Sequence, residues 1–89
     1  MPRYQGVLII RPVEGRYDSQ ADNILRVLHR LGFSGTSSLR FGNAFTITLT
    51  AKNKAEAQKA FVDMGDKLRN PSIREEFFVH SLRRLPEEG

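Results

Sequence analysis

The chain has 89 residues, 14 Lys+Arg against 10 Asp+Glu for a formal charge of +4, and no cysteine. That length holds one small core, so residues 1–89 are read as a single domain, and the missing cysteines exclude disulfide and thiolate chemistry. So small a domain buries only a modest share of its surface, which makes association a natural way to bury more.

The opening Met1-Pro2-Arg3-Tyr4-Gln5 is too short and polar for a signal peptide, and no apolar run approaches a membrane span. A cytoplasmic protein with no membrane partner is expected. The basic excess invites a nucleic-acid reading. However, acids at Asp18, Asp22, Glu56, Asp63, Asp66, Glu75 and Glu76 interleave with the basic residues, whose densest groups are Arg26-His29-Arg30 and Arg83-Arg84. Ordinary solvated faces account for that spread, and no nucleic-acid partner is expected.

In chain order, residues 4–13 read as a strand, apolar on both faces through Val7, Ile9 and Leu8, Ile10, with Pro12 at its end or on an edge. Asp18 is an N-cap, and Ala21, Ile24, Leu25, Leu28 and Leu31 follow at helical spacing over 18–31. Gly32 is the expected C-cap. After a turn at Gly35-Thr36-Ser37, Leu39 and Phe41 alternate with Ser38 and Arg40, predicting a short strand. Gly42-Asn43 then makes a hairpin turn into a strand with Phe45, Ile47 and Leu49 inward and Thr46, Thr48 and Thr50 outward. Asn53 caps a second helix whose stripe is Ala57, Phe61, Met64 and Leu68, with Ala60 beside it. Gly65 is a weak point in that helix unless close packing needs it. Asn70-Pro71 stops the helix. Ile73 to Leu82 form the last strand, with Phe77 and Val79 on one face and Phe78 and His80 on the other, and 83–89 read as a flexible tail.

The order is β-α-β-β-α-β: an α+β, ferredoxin-like antiparallel sheet with two helices on one face. No catalytic constellation is visible. His29 and His80 stand apart from any carboxylate cluster, which gives no metal site. Glu75 and Glu76 are adjacent in a strand and point to opposite faces. Neither glycine-rich phosphate motif is present.

Three junctions carry a resemblance: Asp18-Ser19-Gln20-Ala21 with Leu31-Gly32, Leu39-Arg40-Phe41-Gly42-Asn43, and Leu68-Arg69-Asn70-Pro71-Ser72-Ile73-Arg74. In order and placement they resemble the PurS family, the small subunit of formylglycinamidine ribonucleotide (FGAM) synthase. That family shows Asp-Pro-Gln-Gly, Val-Arg-x-Gly-Lys and Leu-x-Asn-Pro-x-Ile-Glu at these places. The chain departs from it at Ser19, Ala21, Asn43 and Arg74. The resemblance covers about 4–82. It implies a non-catalytic subunit that bridges a glutaminase and an ATP-dependent synthetase and supports ammonia transfer in purine biosynthesis. ATP, Mg²⁺ and glutamine would be used by the complex, and none would be bound by this chain.

The resemblance also implies a segment-exchanged homodimer, or a dimer of dimers. Asp18, Gln20, Arg40, Gly42, Asn43, Asn70 and Pro71 are the candidate partner interface. Phe77, Phe78 and His80 are the candidate oligomer interface, because both faces of the last strand carry aromatics. The alternatives are a ferredoxin-like RNA-binding or ribosomal-type module, or a PurS-like scaffold with a changed partner.

Overall fold

Strand β1, Arg3–Pro12, is the centre of the sheet because its residues alternate strictly: Tyr4, Gly6, Leu8 and Ile10 are buried, and their neighbours are not. The computed structural model describes residues 1–15 and 17–87. β2, Asn43–Thr50, and β3, Glu75–Arg84, flank β1, both antiparallel to it, in the order β2-β1-β3.

Register places Phe45, Ile47 and Leu49 opposite Leu8, Gly6 and Tyr4, and Phe77, Val79 and Leu82 opposite Ile10, Leu8 and Gly6. These residues share the face covered by helix α2, Lys54–Leu68. Ala57, Phe61 and Gly65, one helical turn apart, form the buried ridge of α2. Phe61 and Leu8 are fully buried and anchor the core with Ile10. Leu68, expected in the stripe, is 54% exposed. The opposite sheet face, with Val7, Ile9 and Phe78, is open and only half-buried, so β1 is covered on one face and not on both.

Helix α1, Ser19–Arg30, starts where Asp18 accepts hydrogen bonds from the Gln20 and Ala21 amides at 2.9 and 3.4 Å. It ends at Gly32, whose φ of +101° few other residues adopt. There the Gly32 and Phe33 amides donate to the His29 and Leu28 carbonyls, closing a Schellman cap. Among described residues only Ala21 of α1 is buried, and α1 makes no more than marginal contact with the sheet. The sequence pattern expects both helices on one face; α2 lies there and α1 stands off it. The radius of gyration is accordingly 16.8 Å, against about 12 Å for a compact chain of this length.

Residues 38–41 differ from expectation as well. They run extended without a ladder, so the sheet has three strands and not four. Gly42 has no positive φ. It is small because a Cβ there would stand 2.7 Å from the Arg11 Cβ and 3.0 Å from the Ile10 carbonyl oxygen. β3 continues through Arg84, since Arg83 and Arg84 pair with Gln5 and Tyr4. The expected tail therefore begins two residues late, and its last positions, 88 and 89, lie outside the described residues.

Asn70 organises the exit from α2. Its side chain caps the 3₁₀ turn η1, Pro71–Ile73, by accepting from the Ser72 amide, and its own amide donates to Glu75 Oε1 at 2.8 Å. Arg74 follows in the left-handed region, φ 52°, and its carbonyl accepts from the Val13 amide at 2.9 Å. Left-handed backbone costs an L-residue roughly 1–2 kcal/mol, and asparagine tolerates it better. Arg74→Asn is expected to raise stability by about 0.5–1 kcal/mol, read as a higher melting temperature. A lower one would show that the arginine side chain contributes more than its backbone costs.

Candidate functional site

The seven residues expected at a partner interface gather at one end of the sheet, where β1 finishes and β2 and β3 begin. Asn43 pairs with Ile10, Glu75 pairs with Pro12, and Asn70-Pro71 lead directly into β3. Asp18 and Gln20 follow the loop that leaves β1. Gln20 and Asn43 are exposed, whereas Asp18, Gly42 and Asn70 are engaged in capping, close approach and turn formation.

Arg40 is committed within the chain. Its Nη2 donates to the Pro12 carbonyl and to Glu76 Oε1, each at 2.7 Å. Arg11 Nε donates to the same oxygen at 3.2 Å, and the Arg11 guanidinium lies 4.9 Å from the Phe78 ring centroid. The sequence could not reveal this cluster, because its members are distant in the chain and meet only through strand register. The alternation that sends Glu75 and Glu76 to opposite faces was legible, and it delivers Glu75 to the Asn70 amide and Glu76 to the two arginines.

The Arg40 hydrogen bond, followed by that from Arg11 and the charges of both guanidiniums, holds the Glu76 carboxyl below its ordinary value of 4.5. Glu76 is therefore ionised at neutral pH. Its contribution is complete above that ordinary value and is lost as pH falls through the lowered one.

Between α1 and the returning segment lies a cleft of about 360 Å³, lined by Val13, Asp18, Ala21, Leu25, Leu39, Arg40 and Phe41 among others. Of the four departures from the family motifs, Ala21 is buried on its wall, while Ser19, Asn43 and Arg74 are exposed.

The residues expected at an oligomer interface separate. Phe77 packs on its own α2 against Gly65. Phe78 lies on the open face beside Ile9, and His80 is exposed at the register shift in β3. Among the described residues of the sheet, Phe78 is the one aromatic ring paired beside Ile9 on that open face, and it already lies against Arg11. Among the described residues, no group of three His, Cys, Asp or Glu is placed to hold a metal, and no helix is long and apolar enough to cross a membrane.

An apolar stripe runs outward along α1 and past its C-cap, beyond the sites expected from sequence. Ile24 and Val27 are 39% and 41% exposed, and Leu31 and Phe33 are 68% and 58% exposed. Its signal was present in the helical spacing, but sequence could not say that the chain's own sheet would leave it uncovered.

The family model for PurS, phosphoribosylformylglycinamidine (FGAM) synthase, matches residues 6–80. The chain belongs to the PurS family. It is thereby a small subunit of FGAM synthase, in purine biosynthesis. PurS of Thermus thermophilus is 33% identical, with a TM-score of 0.86 over 96% of this chain and 100% of that one. The structure of PurLQS from Thermotoga maritima matches at 22% identity and a TM-score of 0.77, covering 96% and 100% of the two chains. The purS subunit from the same organism matches at 24% and 0.76, covering 94% and 93%; these two support the fold. No curated protein matches the chain.

Proposed function

We propose that this chain is the non-catalytic subunit that joins a glutaminase to an ATP-dependent synthetase within FGAM synthase and supports passage of ammonia between them. One observation carries the reading: the start of α1 at Asp18, the Arg40–Asn43 segment and the Asn70-Pro71 turn, distant in sequence, lie about one sheet end, and Gln20 and Asn43 are exposed. The PurLQS assembly of Thermotoga maritima gives the type of complex. ATP, Mg²⁺ and glutamine belong to the partner subunits in this reading. The chain works in the cytoplasm.

A second copy completes the fold. The stripe of Ile24, Val27, Leu31 and Phe33 is too apolar for a lone helix in water, and α1 stands off its own sheet. An exchanged α1 from a second copy covers the half-exposed Phe45 side of the sheet beside α2. Dimers of this kind can pair again.

The test is reconstitution. Purified chain is added to a glutaminase and synthetase pair lacking its own small subunit, and glutamine-dependent FGAM formation is measured. Restored activity with co-elution is the expected result. A folded, dimeric sample that restores nothing and does not co-elute would overturn the subunit reading and leave a scaffold with a changed partner.

A further inference from the structure

The segment between β1 and β2 is an arm: it leaves the sheet at Pro12, carries α1 and returns at Asn43. Among the described residues, little along its length ties it to the sheet, because α1 has only marginal contact there. Its two ends are joined at the base. Arg40 in the returning segment reaches the Pro12 carbonyl where the arm departs, and Glu76 on β3 accepts from both Arg40 and Arg11. Gly42 lets the returning backbone press against Arg11, and Val13 is bonded to Arg74. A helix held only by its ends takes its direction from whatever fixes them.

We infer that Glu76 is a positioning residue: with Arg11 and Arg40 it sets the angle at which the α1 arm leaves the sheet, and so the geometry in which the arm meets a second copy and the sheet end meets the synthetase. Glu76 suits this role because one carboxylate oxygen serves two guanidiniums from two other segments, β1 and the arm. The arginines cannot clamp each other, since like charges repel; the carboxylate is what lets them share one place. The cleft beside α1 has Arg40 in its wall, so its width follows the same joint. The functional half of this inference rests on the subunit reading above, whereas the arm's direction does not.

Glu76→Gln keeps the shape and removes the charge, and Arg40→Met removes the donor. Hydrogen exchange on the full-length chain is expected to accelerate at the Val13 amide, which is bonded to the Arg74 carbonyl at the base of the arm, while the other β1 and α2 amides stay as protected as before. The dimer dissociation constant is expected to rise about five- to tenfold, in line with the loss of one half-exposed charged contact. In the reconstituted synthase, the chain concentration giving half-maximal FGAM formation rises by a similar factor, and the rate at saturation is unchanged. Arg40→Lys, which keeps the charge, restores part of the loss seen with Arg40→Met.

Unaltered exchange at the Val13 amide overturns the inference, and so does acceleration spread equally over the sheet, which would make Glu76 a stability residue. A fall in the saturated rate alone also overturns it. If the unmutated chain supports no synthase activity, the subunit reading fails, and exchange and dimerisation still decide the role of Glu76.

Discussion

Gly65→Ala is expected to destabilise the protein by about 2 kcal/mol, against the roughly 1 kcal/mol gain that helix propensity alone would give. The reason is the crossing of α2 over β3. A Cβ at Gly65 would stand 2.6 Å from the Cγ and Cε2 atoms of Phe77. Cγ is bonded to Cβ at the base of the ring, so flipping or swinging the far end of the ring does not clear it; the helix or the strand must move. Phe61 and Leu8, fully buried in the adjoining cluster, resist that movement because interiors are close-packed. The melting temperature should fall by about 10 °C at fixed protein concentration. Phe77→Leu in the Gly65→Ala background should restore part of it, with a coupling of about 1 kcal/mol in the double-mutant cycle. A more stable Gly65→Ala protein would remove the close-packing account.

Val27→Lys and Leu31→Lys test the other face of the molecule. Lysine is a good helix former, and positive charge near a helix C-terminus is favourable, so both changes are close to neutral for an isolated α1. Against an apolar surface of a second copy they are severe. The double variant is expected to raise the dimer dissociation constant at least about 100-fold, near 3 kcal/mol, as for loss of central interface anchors. Sedimentation would then show monomer at concentrations where the unmutated chain is dimeric. FGAM formation in the reconstituted complex should fall with dimer content. Unchanged sedimentation would mean that Val27 and Leu31 face solvent in the assembly and that something else covers α1.

Much of this architecture was legible in the residues. Leu8 and Ile10, Phe61 and Ala57, and the alternation of Ile47 and Leu49 with threonines report their faces through period alone. Asp18, Asn53, Gly32 and Asn70 mark their junctions by local chemistry, and each performs the capping or turning role its type suggests. Where sequence fell short, the missing information was non-local. Ser38 to Phe41 alternate like a strand, yet alternation records only a half-buried pleated fit, and this segment lines the α1 cleft without a ladder partner. Gly42 was visible as a glycine, but the reason for it is Arg11, thirty-one positions earlier. Arg40 was visible as a candidate for a carboxylate, but that its carboxylate is Glu76 depends on the register of β3 against β1.

The edge position of β2 carries one more consequence. Asn43–Thr50 has no charged residue and no proline, and among the described residues no strand neighbours its outer backbone edge. Such an edge is a template for indiscriminate pairing. Newly made chains therefore race between two fates, and the winner depends on concentration. A second copy that paired with this edge while covering α1 would hide both, whereas delay would leave both open to aggregation. On the dimer reading proposed above, assembly would thus protect the free chain from aggregation as well as complete its fold.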